Sequence, residues 1–136
     1  MNAVVKKKKA MKQLLPFLSC CVFLFLSSCT KEKDGILVKF INLTGDAVLE
    51  AKANDQLIGD LDANSATNYI EFSNFGMDTG MPDIPFTGKF NGTALQSTSG
   101  FYWCGTEKSG LPPGKYTVGI HTVDVNGTVY FNLRFQ

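Results

Sequence analysis

Residues 115–136 read KYTVGIHTVDVNGTVYFNLRFQ, and apolar and polar side chains alternate on both sides of a central Asn126-Gly127. Asn-Gly is the strongest short signal for a β-hairpin, because a type I′ turn requires a positive φ at both central residues. A hairpin closed here pairs Thr122 with Phe131, Ile120 with Leu133, and Val118 with Phe135. Both apolar sets then lie on one face, as a half-buried sheet requires. The stretch therefore predicts a long hairpin that packs against a hydrophobic core.

Similar short segments recur upstream, separated by Gly, Asn and Pro; they read ILVKFINL, AVLEAKAN, QLIGDL, TNYIEFSNF, FTGKF and TALQS. The first two flank Thr44-Gly45-Asp46 and predict a hairpin, and the last two flank Asn91-Gly92 and predict another. Within residues 68–75, alternation places Ile70 and Phe72 inward and Tyr69, Glu71 and Ser73 outward. No segment after the N-terminus shows the 3.6-residue period of a helix. The pattern predicts an all-β fold, an antiparallel sandwich of about seven or eight short strands.

Charge and cysteine content limit the function. Five of the 13 basic residues precede residue 29, which leaves eight basic against 12 acidic residues, a net charge of −4. Such a domain lacks the basic surface that nucleic acid requires, so no nucleic acid partner is expected. Cys104 is the one cysteine in the predicted domain. We therefore expect no disulfide and no cofactor, and a fold that depends on its core.

The N-terminus combines a basic segment with an apolar run at residues 14–26. The run has about 13 residues, whereas a membrane-spanning helix needs roughly 20, so a secretory signal peptide is indicated. Leu26-Ser27-Ser28-Cys29 resembles the lipobox of bacterial lipoproteins. The resemblance implies that the signal is cut between Ser28 and Cys29, and that acyl chains on Cys29 hold the protein to a membrane. Translation can start at Met1 or at Met11, which opens a compact signal by itself.

Residues 30–34, TKEKD, resemble the charged tag of surface-exposed Bacteroidota lipoproteins, although the alternating signs depart from that family's acidic pairs. This implies a lipid-anchored envelope protein at the outer membrane, with periplasmic and surface-exposed display both open. LPPGKYTV at residues 111–118 resembles the start of a late strand in Ig-like and transthyretin-like modules. The predicted organisation is a signal peptide (1–28), a lipidated Cys with a charged tether (29–34) and one β-sandwich domain (35–136).

Two patterns suggest catalysis. Asp78-Thr79-Gly80 matches the triplet of aspartic proteases, which need two such Asp residues to share one proton. Asp-Thr-Gly is also a good turn sequence, and this interpretation is preferred because the triplet does not follow a hydrophobic strand. Cys104 with His121 would need an exposed thiolate. The hairpin register instead places His121 outward and opposite Asn132. No catalytic residue is therefore assigned.

One pattern suggests a metal site. Asp60, Asp62, Asn64 and Glu71 match positions 1, 3, 5 and 12 of a calcium loop. Ser65 replaces the glycine that this loop needs, and Glu71 lies in a predicted strand. Because Asp and Asn are also common in turns, a plain strand connection is the preferred interpretation.

The segment 100–105, GFYWCG, concentrates Phe101, Tyr102 and Trp103, and aromatic side chains on a sandwich surface can stack on sugars. Residues 76–85, rich in Met, Gly and Pro, predict a long loop of the kind that carries recognition. The sequence thus predicts a non-catalytic binding or structural module for a glycan or an envelope protein. The alternatives are an enzyme inhibitor that presents the 76–85 loop, or a hydrolase that uses Asp78.

Overall fold

The computed structural model describes residues 35–99 and 108–136, and these form eleven β-strands in three sheets with no helix among them. The all-β prediction is confirmed, and the strands outnumber the predicted seven or eight because several have only two or three residues. The strands are β1 (Ile36–Asn42), β2 (Val48–Ala53), β3 (Gln56–Leu61), β4 (Ile70–Phe72), β5 (Gly76–Asp78), β6 (Met81–Pro82), β7 (Phe86–Phe90), β8 (Thr93–Gln96), β9 (Lys108–Gly110), β10 (Gly114–Val125) and β11 (Thr128–Phe135).

The first sheet has the order β11-β10-β1-β4. Its β10–β11 hairpin has the predicted register, with Thr122 opposite Phe131, Ile120 opposite Leu133, and Val118 opposite Phe135. The turn residues Asn126 and Gly127 have φ values of 54° and 82°, as a type I′ turn requires. The hairpin that the sequence predicted most directly is therefore confirmed.

The predicted hairpin between β1 and β2 is wrong. β1 pairs in parallel with β10, from Ile36 opposite Gly114 to Asn42 opposite Ile120, and antiparallel with β4. The chain then crosses to the second sheet, where β2 lies between β3 and β7. A turn sequence such as Thr44-Gly45-Asp46 fits either a hairpin or an arch between two sheets, and only the long-range partners of β1 decide which forms. The fold is consequently mixed rather than purely antiparallel.

The second sheet has the order β3-β2-β7-β8. β7 and β8 form the predicted hairpin, with Phe90 opposite Thr93 and positive φ values at Asn91 and Gly92. β2 and β3 form a further hairpin at Asn54-Asp55, where both residues again have positive φ. Asn and Asp tolerate a positive φ better than other non-glycine residues, so these sequences favour tight turns between neighbouring strands of the sheet.

The two four-stranded sheets contact each other through aromatic rings. The ring centroid of Phe40 on β1 lies 6.1 Å from that of Phe86 on β7. The ring centroid of Phe86 lies 5.2 Å from that of Phe131 on β11. Phe72 and Phe75 complete the cluster on the other side of Phe40. Because each buried ring removes about 150–250 Å² from water, this cluster dominates the core. Asp34–Gln136 form one compact unit around it.

Asn42, at the end of β1, is a fully buried polar residue. Its Nδ2 donates to the carbonyl oxygens of Asp46 (2.8 Å), Leu61 (2.9 Å) and Asp62 (3.1 Å). Its Oδ1 accepts from the backbone N–H and the hydroxyl of Thr44. A buried amide is tolerated only when it is hydrogen-bonded, so this network fixes the arch at the point where the chain changes sheets.

The third sheet, β6-β5-β9, corrects the prediction of a long loop at residues 76–85. Met77 pairs with Pro82 and Asp78 with Met81, so the segment is a small hairpin held by β9. The adjoining Ile84 is buried in the core. Strands of two or three residues are too short to show alternation, which is why the composition alone suggested a loop. The described residues contain no helix that could span a membrane.

Gly76 and Gly110, which are opposite each other in this sheet, give a paired test of its packing. A Cβ at Gly76 would overlap the backbone oxygen of Asp83, whereas a Cβ at Gly110 would meet no atom within 4 Å. We expect Gly76→Ala to lower the free energy of unfolding by about 1–3 kcal/mol. Gly110→Ala should change it by less than about 0.5 kcal/mol. Urea unfolding of the two variants measures the difference, and equal losses would contradict the described β5–β6 packing.

Candidate ligand-binding site

Several predicted site residues lie outside the described residues. They are Ser28 and Cys29 at the lipobox, the aromatic residues Phe101, Tyr102 and Trp103, and Cys104. The roles assigned to these residues stay predictions. The described candidates are those of the calcium pattern, Asp78 and His121.

The four residues of the calcium pattern do not form a common site. Asp60 Oδ1 accepts from the backbone N–H of Glu50 (2.8 Å), and Glu71 lies on β4 opposite Leu37. Asn64 takes a turn conformation with a φ of 61°. Within residues 35–99 and 108–136, no group of three or more His, Cys, Asp or Glu side chains could hold a metal ion. Calcium binding by these residues stays a prediction.

Asp60 and Asp62 nevertheless face a common surface, which we call the Tyr69 depression. It lies between β3, an edge strand of the second sheet, and residues 65–70, which lead into β4 at the edge of the first sheet. Its volume is about 760 Å³. The residues that line it include Gln56, Leu57, Asp60, Asp62, Asn68 and Tyr69.

The wall that carries Tyr69 is fixed to β1. Phe40 donates its backbone N–H to the hydroxyl of Thr67 (3.0 Å), and Thr67 returns its own N–H to the carbonyl of Phe40 (2.9 Å). Ser65 accepts from the N–H of Asn42 (2.9 Å). Backbone hydrogen bonds on both sides of Ala66 therefore attach residues 65–67 to β1 in an extended, strand-like conformation. This attachment positions Asn68 and Tyr69, which follow.

The exposed surface of the depression is both apolar and acidic. Tyr69 is 46% exposed and Leu57 is 67% exposed, although side chains of this size usually bury much of their area. The two carboxylates share the depression with the amides of Gln56 and Asn68, and the described residues that line it include no Lys, Arg or His. The site therefore offers a ring face, hydrogen-bonding side chains and negative charge. It favours neutral or cationic ligands over anionic ones.

The side chain of Asp62 is left available by its own turn. Ser65 donates both its N–H (3.0 Å) and its hydroxyl (2.8 Å) to the backbone carbonyl of Asp62. These bonds, together with that from Asn42, use the carbonyl rather than the carboxylate. The carboxylate can consequently accept hydrogen bonds from a ligand without breaking the turn.

Asp78 lies in the turn that its sequence favoured. Thr79 and Gly80 have φ values of 46° and 78°, which makes Asp78-Thr79-Gly80 part of a tight hairpin turn. Asp78 Oδ1 is buried and has no hydrogen-bond partner among the residues that the structure describes. It borders a small cavity of about 150 Å³ with Asp83, which forms an ion pair with Lys108 (2.8 Å). Catalysis by Asp78 stays a prediction.

His121 occupies the predicted position opposite Asn132 on the hairpin and is half-buried. Partial burial, and then the positive charge of Arg134, hold the pKa of this imidazole below its usual value.

The Tyr69 depression was only partly visible in the sequence. Alternation through residues 68–75 predicted that Tyr69 faces outward, and this is confirmed. The apposition of Tyr69 and Leu57 could not be predicted, because it depends on β3 and β4 being edge strands of different sheets.

Comparisons with known proteins give a distant structural similarity. No family model matches the chain, and no curated protein matches it. The NMR structure of a protein from Eubacterium rectale aligns with a TM-score of 0.47 and 19% sequence identity. The alignment covers 75% of this chain and 90% of that protein's chain.

Proposed function

We propose that this protein is a lipid-anchored, non-catalytic binding module of the cell envelope that binds a glycan at the Tyr69 depression. The lipobox resemblance at Cys29 supports the anchor and the outer-membrane location, with periplasmic and surface display both open. Two four-stranded sheets that share an aromatic core support an Ig-like or transthyretin-like sandwich, which is the form proposed for the domain. The exposed Tyr69 beside two carboxylates is the observation that carries the binding role.

The chemistry of the depression suits a sugar. The C–H faces of a pyranose pack on an aromatic ring, while its hydroxyls need paired donors and acceptors. Tyr69 supplies the ring, Asp60 and Asp62 supply acceptors, and the amides of Gln56 and Asn68 supply both. The volume lies within the range of about 300–1,000 Å³ that is usual for small-ligand sites. Since the lining is acidic, a neutral or amino sugar fits better than a uronic or sialic acid.

A protein partner, with the domain acting as an inhibitor, is the second candidate. The β5–β6 hairpin presents an exposed tip at Thr79-Gly80, and Met81 beside it is 39% exposed. A rigid, exposed hairpin is a suitable element to occupy the cleft of an enzyme. Tight binding to an envelope hydrolase, lost when the 76–85 segment is replaced by Gly and Ser, would support this candidate.

The glycan proposal predicts that Tyr69→Ala weakens binding at least tenfold, because about 1.4 kcal/mol of ring contact corresponds to a factor of ten. The measurement is a glycan-array screen of the full chain in mild detergent, followed by titration of the best ligand. Tyr69→Phe keeps the ring and should retain most of the affinity. Asp62→Asn tests the acceptor role.

Two further arms of the screen separate the proposed site from the other candidates. Trp103→Ala tests the predicted aromatic segment, and chelation of calcium tests the Asp60 pattern. Binding that survives Tyr69→Ala but is lost in Trp103→Ala would contradict the site proposed at Tyr69. Absence of any glycan ligand would direct attention to protein partners.

A further inference from the structure

A second surface lies where the edges of the two four-stranded sheets meet, between β8 and β11. Ser97 and Phe131 form a parallel bridge at this point, and the N–H of Thr98 donates to the carbonyl of Phe131 (2.9 Å). From the bridge the two strands diverge toward their hairpin tips, at Asn91-Gly92 and Asn126-Gly127. The gap between them, which we call the β8–β11 cleft, has a volume of about 610 Å³.

The β11 wall of the cleft presents backbone groups that the sheet does not use. The bond from Thr98 shows that the carbonyl of Phe131 points away from β10. Backbone groups in an antiparallel strand change direction at every residue, so those of Val129 point the same way as those of Phe131. Val129 lies beyond the bridge, and its N–H and C=O therefore face the open cleft.

The β8 wall is built in the same way. The N–H of Ser97 donates to the carbonyl of Phe86 (2.7 Å), so the backbone groups of Ser97 face β7. By the same alternation, those of Ala94, which lies beyond the bridge, face away from β7 and toward β11. Both walls of the cleft thus carry hydrogen-bonding groups aimed at the space between them.

The floor of the cleft is an uncovered continuation of the core. Along one face of β11, Leu133 is 4% exposed, Phe131 is 0% exposed and Val129 is 39% exposed. Phe90 and Leu95, on β7 and β8, are half-buried against the core, and the ring of Phe90 lies 6.5 Å from that of Phe131. The row of inward-facing side chains on β11 therefore continues to Val129, beyond the part that the second sheet covers. This leaves room for an apolar side chain of a ligand.

The cleft also lacks the charges that usually guard a free sheet edge. None of the described residues that line it is charged, whereas the opposite edges carry Asp60 on β3 and Glu71 on β4. Charged side chains on edge strands prevent pairing with other chains. An uncharged edge, whose outward backbone groups at Val129 and Ala94 bond to no residue within 35–99 and 108–136, therefore matches an uncharged extended segment, both in hydrogen bonding and in charge.

We propose that the β8–β11 cleft accepts an extended, uncharged peptide segment of a partner protein, which adds as a β-strand and inserts one apolar side chain over Phe90, Leu95 and Val129. Main-chain hydrogen bonds provide the affinity in this mode, and the apolar pocket provides the selectivity. The cleft and the Tyr69 depression lie on opposite pairs of sheet edges, so this inference does not depend on the glycan proposal.

The probe is a set of capped heptapeptides, Thr-Val-Thr-Xaa-Thr-Val-Thr, in which Xaa is each uncharged residue in turn, with Lys and Glu added as charged controls. Binding to the full chain in mild detergent is measured by fluorescence anisotropy. We expect binding by members with a bulky apolar Xaa, and at least tenfold weaker binding when the central residue is Lys or Glu. An analogue with N-methyl groups on alternate residues, which cannot donate to one wall, should also bind at least tenfold more weakly.

Val129→Pro tests the protein side of the same bonds. The Val129 N–H is not used by β10, and proline is tolerated at such outward-facing edge positions. We expect at least a tenfold loss of peptide affinity with little change in the unfolding midpoint, whereas Val129→Thr should lose less than threefold. If Val129→Pro does not fold, the N-methylated peptide gives the equivalent test on the unaltered protein.

Three results would overturn the proposal. The first is that no peptide of the set binds at concentrations up to about 1 mM, which corresponds to about −4.1 kcal/mol. The second is that the N-methylated analogue binds as tightly as its parent. The third is that the chain dimerises without peptide and Val129→Pro makes it monomeric, which would make a second copy the occupant of the cleft.

Discussion

Phe40→Ala is expected to lower the free energy of unfolding by about 3–5 kcal/mol, the usual cost of removing a fully buried aromatic side chain. Phe40 is completely buried, and its ring centroid lies within 6.4 Å of those of Phe72, Phe75 and Phe86. These rings come from both four-stranded sheets and from the segment after β4. A cavity at this position therefore removes contacts between the sheets, and the surrounding strands cannot close it without moving apart from their hydrogen-bonded partners.

Urea unfolding of the full chain in detergent measures this effect, and Phe135→Ala is its matched control. Phe135 ends β11 and is half-buried, and its ring neighbour within the described part of the chain is Tyr116 at 6.1 Å. The same atoms are deleted in both variants, so a difference between their free energies of unfolding reflects how deeply each ring is buried and not which atoms are removed. We expect Phe135→Ala to cost less than half as much as Phe40→Ala. Similar losses would mean that the Phe40 cluster is not the centre of the core.

The two Asn-Gly hairpins were predictable from the sequence, whereas the β2–β3 hairpin and the long-range pairings were not predicted. Asn126-Gly127 and Asn91-Gly92 each specify a two-residue turn, and the alternation beside each turn fixes the register, so all the necessary information lies within one short segment. The parallel pairing of β1 with β10 depends instead on residues far apart in the chain. Every apolar strand offers similar partners, and periodicity does not distinguish between them.

The same reasoning explains what was missed at the two surfaces. Alternation predicted that Tyr69 faces outward, which is a local property. The Tyr69 depression and the β8–β11 cleft exist because particular strands become sheet edges, and strand order is a property of the whole fold. The calcium pattern was inferred from spacing alone, and calcium binding there stays a prediction. It assumed a single compact loop, but Glu71 belongs to a strand that pairs with β1.

Asn42→Asp tests the buried polar network at the arch, and we expect it to lower the free energy of unfolding by about 3–5 kcal/mol at pH 7. The substitution changes almost no volume, but it replaces the Nδ2 donor with an acceptor. The carbonyl oxygens of Asp46, Leu61 and Asp62 then lose their hydrogen bonds and face a buried negative charge. An Asp side chain still accepts the hydrogen bonds from Thr44, so the loss of stability measures the contribution of the bonds that Asn42 Nδ2 donates.

The loss at Asn42→Asp should depend on pH in a definite direction. Burial and the nearby carbonyl oxygens disfavour the carboxylate, which raises the pKa of this carboxyl in the folded protein above the ordinary value of about 3.9. The folded variant then binds more protons than the unfolded chain, so its stability falls as pH rises from about 4 through the raised pKa.

Asn132→Asp is the matched control, because Asn132 Oδ1 already accepts from Arg134 Nε (2.9 Å) and a carboxylate improves that bond. Urea midpoints from pH 4 to pH 8, each referred to the unaltered protein at the same pH, measure both variants. If Asn42→Asp lowers the free energy of unfolding only slightly, or by the same amount at every pH, the arch does not depend on the buried amide. The crossing of the chain from β1 in the first sheet to β2 in the second would then be determined by the apolar core alone.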